Sequence, residues 1–161
     1  MAELRFIQDF PTKGVKFIDI SPKLTDKDDF KSIINEMTTK VPDNTDYIIA
    51  PESRGYIFGT AMAINLGIGF VPIRKPGKLP EDLVYTVEYE KEYGKDRLCL
   101  PKNTNYSGKN FYFVDDVLAT GGTLNAAKKL VENANGNFVG AGVYINIKEL
   151  NNMEINSVEN L

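Results

Sequence analysis

Phe111-Tyr-Phe-Val-Asp-Asp-Val-Leu-Ala-Thr-Gly-Gly-Thr123 decides how the chain is read. Its first residues are apolar, aromatic and β-branched, the composition of a buried strand. The run then breaks into two adjacent carboxylates, Asp115 and Asp116, and a turn of small residues. A helix is expected at once, because Ala126, Ala127, Leu130 and Val131 recur at helical spacing within 125–133. The turn Ala119-Thr-Gly-Gly-Thr123 therefore feeds a helix N-terminus, where unpaired backbone N–H groups and the positive end of the helix dipole converge. Gly121 and Gly122 permit close backbone approach, and Thr120 and Thr123 add hydroxyl donors, so the turn suits a phosphate monoester. Carboxylates at a strand end beside such a cradle can accept hydrogen bonds from sugar hydroxyls or hold a hydrated divalent ion.

Composition narrows the classes. The 161 residues, 42% of them hydrophobic, suffice for one globular domain with a real core. A net charge of −3 argues against a nucleic-acid protein that binds through a basic face. No apolar run is long enough to cross a bilayer and Met1-Ala-Glu-Leu-Arg5 is not a signal peptide, so a cytoplasmic protein without membrane partners is expected. Cys99 is the single cysteine and there is no histidine, which excludes an intrachain disulfide, a Cys/His zinc site and a His general base. Acid–base chemistry falls to carboxylates, Lys, Tyr or the substrate.

Outward from the central stretch, the pattern is that of an α/β protein. The segment 4–22, with Pro11, Gly14 and Pro22, reads as an irregular, partly extended arm. Thr25 or Asp26 can cap a helix to about Lys40, with Phe30, Ile33, Ile34 and Met37 on one face. Tyr47-Ile-Ile-Ala50 is a short buried strand, followed after Pro51-Glu-Ser-Arg-Gly55 by a helix ending near Gly67. Gly69 to Arg74 forms the next strand. The polar, tyrosine-rich stretch from Glu81 to Leu100 reads as two extended arms joined around Tyr93-Gly94, a mobile flap rather than core. Phe138 to Ile147 is the last strong strand, and Ile155 to Val158 adds an edge. Strands alternating with helices predict right-handed crossovers in a central, Rossmann-like parallel sheet, with ligands bound beyond the C-terminal strand ends.

Three of those ends concentrate charge and turn residues: Glu52-Ser-Arg-Gly55, Arg74-Lys-Pro-Gly-Lys78 and the Asp115 to Thr123 run. Arg54 and Gly55 stand at a second helix start, where a guanidinium and free N–H groups suit a multiply charged phosphate. Lys75 and Lys78 flank the tight turn Pro76-Gly77. The constellation fits a ligand with a monophosphate at one end, a diol in the middle and a diphosphate at the other.

Val114-Asp-Asp-Val-Leu-Ala-Thr-Gly-Gly-Thr123 closely resembles the phosphoribosyl pyrophosphate (PRPP) signature of the type I phosphoribosyltransferases. It is neither a Walker A loop nor a dinucleotide fingerprint. The segments 9–22, Pro51 to Gly59, Phe70 to Pro80 and Glu92-Tyr-Gly94 resemble the adenine phosphoribosyltransferase branch, and together the likeness covers about Arg5 to Leu150. The resemblance implies a single phosphoribosyltransferase domain with an N-terminal hood over residues 1–24 and a catalytic flap over residues 81–100. It implies transfer of ribose 5-phosphate from PRPP to adenine, giving AMP and pyrophosphate, with Mg2+, in a homodimer.

Carried onto this chain, the resemblance gives the 5′-phosphate to Ala119, Thr120, Gly121, Gly122 and Thr123. Asp115 and Asp116 take the ribose hydroxyls or magnesium through water. Ser53, Arg54, Gly55, Arg74, Lys75 and Lys78 take pyrophosphate, Lys16, Phe17 and Ile18 the base, and Glu92, beside Tyr93 of the flap, is the catalytic carboxylate. It also suggests a cis Glu52–Ser53 peptide. The chain departs from the family at Ile18, where Arg is frequent, at Lys91, where an apolar residue is common, at Asn146, where an acid is frequent, and in an abbreviated tail after Leu150. These departures bear on base selectivity. The alternatives are a hypoxanthine, guanine or xanthine phosphoribosyltransferase, and a non-catalytic PRPP-binding regulator on the same fold.

Overall fold

A computed structural model of the chain describes residues 2–91, 94–102 and 106–161. They fall into two compact units, Met1–Glu36 and Met37–Leu161. In the first, β1 (Arg5–Gln8) pairs antiparallel with β2 (Lys16–Asp19), Phe6 opposite Ile18 and Gln8 opposite Lys16. The segment expected to be irregular is thus a hairpin. Its connection is closed by Asp9 Oδ1, which accepts the Gly14 N–H at 2.6 Å, and its first residue is fixed by Arg5 Nε donating to Asp19 Oδ2 at 2.8 Å. The proline and glycine that read as irregularity serve the turn between the strands.

A short helix, α1 (Ser21–Thr25), precedes α2 (Lys27–Thr39). Of the two expected caps Asp26 is the one used: its Oδ1 accepts the N–H groups of Asp28 and Asp29, both at 3.0 Å, while the Thr25 hydroxyl donates back to Pro22 O.

The second unit is built on β3 (Tyr47–Pro51), α3 (Arg54–Leu66), β4 (Gly69–Ile73), β5 (Val84–Lys91), β6 (Gly94–Pro101), β7 (Asn110–Leu118), α4 (Gly122–Asn133), β8 (Asn137–Asn146) and β9 (Asn156–Asn160). Five strands form the central sheet in the order β4-β3-β7-β8-β9, each pair parallel. Ile49 lies opposite both Val71 and Phe113, and Phe113 opposite Ala141, so the middle strands present continuous apolar rows. From β3 the chain first adds β4 on one side, then returns to place β7 on the other. The switch in direction lies between β3 and β7, and in such sheets a crevice opens beyond the strand ends at that point.

The hairpin β5–β6 forms a separate antiparallel sheet. Its stem is not the weakly packed flap expected from composition. Tyr85 faces Leu100 and Val87 faces Leu98 across the ladder. Pairing gathers apolar residues that are sparse along either strand onto one face, where Val87, Leu98 and Leu100 are buried in the same cluster as Ile73, Phe113, Leu124 and Leu130. Among the described residues, no helix is long and apolar enough to cross a membrane.

Candidate active site

The strand β7 runs through both aspartates to Leu118, where the sequence suggested a break before them. Alternation along the strand sends Phe113, Asp115 and Val117 to one face and Val114 and Asp116 to the other. The first face lines a cavity of about 260 Å³, closed by Ala119 to Thr123 and bordered by Tyr89 and Glu90 of β5. Gly121, with φ +87°, is the N-cap of α4, and a Cβ there would lie 2.5 Å from Met153 Sδ and Cε. Only glycine fits both the left-handed backbone and the close approach. The opening amides of α4 have no partners within the helix, and their residues border the cavity, an arrangement suited to an anion.

The two carboxylates are not equivalent. Asp115 borders the cavity, and its Oδ1 accepts the Asp116 N–H at 2.9 Å. Desolvation first, and the charge of Asp116 second, push the Asp115 carboxyl well above the ordinary carboxylate range. Asp116 is buried, with its Oδ2 2.9 Å from Arg54 Nε. This is a charge pair rather than an aligned hydrogen bond, since Oδ2 receives no donor in hydrogen-bond geometry.

Arg54 is the first residue of α3, just beyond the end of β3. The peptide Glu52–Ser53 is cis, and Ser53 is the N-cap. Gly55 is enclosed: a Cβ would stand 2.7 Å from Pro51 Cδ and 3.0 Å from Asp115 Oδ1, so the helix start and the Asp115 carboxylate are held together. Glu52 Oε2 accepts the Lys75 N–H at 3.0 Å and Arg74 Nε–H at 3.3 Å, which braces the loop against the basic turn after β4. The Lys75 backbone bond is the main reason the Glu52 carboxyl lies below its usual range, and the Arg74 and Lys78 charges add to it. Lys75 and Lys78 are exposed in this turn. Two phosphate-suited helix starts thus stand at the ends of neighbouring strands with a carboxylate between them.

Residues 23–155 match the phosphoribosyl transferase domain. The chain belongs to the phosphoribosyltransferase family. It is 46% identical over 149 residues to the adenine phosphoribosyltransferase of Clostridium perfringens, an alignment covering 92% of this chain and 86% of the relative. Among solved structures it is similar to the adenine phosphoribosyltransferase of Thermoanaerobacter pseudethanolicus, with a TM-score of 0.90, 41% identity and coverage of 98% and 95% of the two chains. It is also similar to the Giardia lamblia enzyme complexed with 9-deazaadenine, with a TM-score of 0.88, 34% identity and coverage of 98% and 93%.

Lys16, Phe17, Ile18, Glu92 and Tyr93 complete the expected set. Lys16, Phe17 and Ile18 are on β2 of the N-terminal unit. Lys16 Nζ stands 4.4 Å over the Phe6 ring, Phe17 meets Phe10 edge-on at 5.3 Å between centroids, and the Ile18 side chain is buried. Glu92 and Tyr93 lie outside the described residues.

The supporting roles of three residues in this phosphoribosyltransferase site escaped the sequence reading. Glu52 and Tyr56 flank the Ser53-Arg54-Gly55 turn, and the Tyr56 hydroxyl donates to Ile73 O at 2.9 Å, joining the first turn of α3 to the end of β4. A carboxylate beside a basic turn was a usable signal for Glu52. Asn151 reaches the Ala119 carbonyl from beyond β8, and no spacing in the sequence announces that contact.

Proposed function

We propose that this chain transfers ribose 5-phosphate from PRPP to adenine, forming AMP and releasing pyrophosphate, a reaction of purine salvage. The observation that carries the reading is the pair of helix starts, Ser53-Arg54-Gly55 after β3 and Thr120 to Thr123 after β7, on adjacent strands with Asp115 between them. The loop Ala119 to Thr123 takes the 5′-phosphate, and Ser53, Arg54, Gly55, Arg74, Lys75 and Lys78 take the diphosphate. Asp115 accepts from the ribose hydroxyls, while Asp116 acts through its charge pair with Arg54. The Giardia relative was solved with 9-deazaadenine, and high identity to enzymes of that branch favours adenine over other purines.

Departure of pyrophosphate from the ribose breaks a C–O bond and builds positive charge on the sugar. The incoming base nitrogen forms the new C–N bond and gives up its proton. Glu92 is the proposed carboxylate that stabilises this charge or takes the proton. Lys16, Phe17 and Ile18 are proposed to receive the base, and Tyr93 belongs with Glu92 to the proposed flap.

Magnesium fits the residues present only in part. Among the described residues no group of three or more His, Cys, Asp or Glu side chains could cage a metal, and Asp116 is engaged with Arg54. Asp115 at the cavity remains, which suits Mg2+ held through water and the phosphates of the substrate. Bound there, the ion would neutralise diphosphate charge as the leaving group departs. A cytoplasmic homodimer completes the reading, testable by sedimentation of the purified chain.

The deciding experiment is a purine panel, adenine, hypoxanthine, guanine and xanthine, assayed with PRPP and Mg2+ by pyrophosphate release. Turnover with adenine alone is expected. Turnover with an oxopurine instead would reassign the base, and PRPP binding without turnover on any base would make the chain a binding protein.

A further inference from the structure

We propose that Asn151 is a positioning residue for the 5′-phosphate loop, a role that rests on the phosphate reading of Ala119 to Thr123. Asn151 Nδ2 donates to Ala119 O at 2.7 Å, to Ile147 O at 3.0 Å and to Asn146 Oδ1 at 3.0 Å. An amide has two N–H groups, so one is shared between acceptors. Its Oδ1 accepts the Met153 N–H at 3.0 Å, which turns the chain so that Met153 lies against Gly121. The loop is therefore held at its first residue and at its middle from one short segment, by a hydrogen bond at Ala119 and by a thioether packed on Gly121.

The neighbouring amide strengthens the case. Asn146 is wholly buried, and its Nδ2 has no hydrogen-bond partner. Its Oδ1 faces Asn151 because the opposite orientation would set two donors against each other. Asn146 and Ala119 O thus fix the direction in which the Asn151 amide points.

The chemistry follows from sign. A phosphate dianion needs donors around it, and a backbone carbonyl turned into the cradle would present an acceptor to an anion. Asn151 engages the Ala119 carbonyl from the segment after β8, while the amides at the start of α4 remain for the ligand. Loss of Asn151 frees that peptide to rotate.

The test compares Asn151→Ala with wild type for binding of ribose 5-phosphate and of pyrophosphate, for kcat and KM with PRPP, and for thermal stability. Ribose 5-phosphate binding should weaken and KM for PRPP rise by about tenfold, the effect of one hydrogen bond lost. Pyrophosphate affinity, set at α3 and the basic turn, should stay within about twofold, and kcat at saturating PRPP should be little changed. Unchanged ribose 5-phosphate affinity would overturn the proposal. So would a parallel loss of both ligands together with a lower Tm, which marks general loosening. Wild-type protein that binds PRPP fragments nowhere takes down the functional reading and this role with it. Asn151→Ser carries the same test if the alanine variant does not fold.

Discussion

Arg54 Nε and Asp116 Oδ2 stand 2.9 Å apart, so the first residue of α3 is tied to a carboxylate inside β7. Asp116 is 2% exposed, whereas the Arg54 side chain is nearly half exposed. One end of the pair is thus structural and the other faces outward, where a guanidinium can meet a ligand.

Arg54→Met should leave a buried carboxylate without its cation and lower stability by about 1–3 kcal/mol. Adding Asp116→Asn should restore part of that loss in denaturant unfolding. A double variant no more stable than Arg54→Met would mean that the pair does not hold the seam. Arg54→Lys keeps the charge but loses the forked geometry, so turnover should still fall substantially.

Asp115 and Asp116 should separate in ligand binding. Asp115→Asn is expected to weaken PRPP by about 1.5–3 kcal/mol, the range for a charged hydrogen bond, with calorimetric titration as the readout. Asp116→Asn should cost less affinity and more stability, because its carboxylate is turned away from the cavity. Equal affinity losses in the two variants would contradict the division of roles.

Glu92→Gln keeps shape and removes charge. Turnover should fall by about ten- to a thousandfold, the scale of a positioned acid–base group, with PRPP affinity nearly unchanged. Glu90 is the informative control, since it borders the cavity beside the phosphate loop. If Glu90→Gln is damaging and Glu92→Gln is not, the catalytic carboxylate lies on β5 itself.

Tyr56 supplies a pH signature. Burial first, and the Glu52 charge second, push its phenol from 10.0 to about 12. The folded chain then holds this proton more tightly than the unfolded chain. Its stabilising contribution is therefore complete below about pH 10 and disappears as pH rises towards about 12. Tyr56→Phe should be less stable at neutral pH by about 0.5–1.5 kcal/mol, the worth of the bond to Ile73 O, yet lose stability less steeply in alkali. Parallel slopes for the two proteins across that window would rule the linkage out.

The parallel sheet was legible because β3, β4, β7 and β8 are dense apolar runs bounded by turn chemistry, and the two helix starts were legible because glycine beside hydroxyls or arginine has few other uses. What escaped was what pairing creates. Counting along Glu81 to Leu100 missed that Val87 meets Leu98 and Tyr85 meets Leu100. Adjacent letters likewise hid the split between Asp115 and Asp116, which appears only once β7 is seen to extend through both. The reach of Asn151 to Ala119 spans 32 residues and obeys no local period.

The central position of β7 also sets an order in time. One neighbour, β3, comes from earlier in the chain and the other, β8, from later, so during synthesis the phosphate loop is made before the strand that flanks it. Parallel pairing of distant segments is slow, and an unpaired apolar strand edge is prone to aggregate meanwhile. A nascent chain ending before Asn137 has both aspartates and the loop but lacks β8 beside them. Ligand binding should therefore arise in a single late step of biogenesis, and chains stalled within α4 should depend on chaperones rather than on substrate for protection.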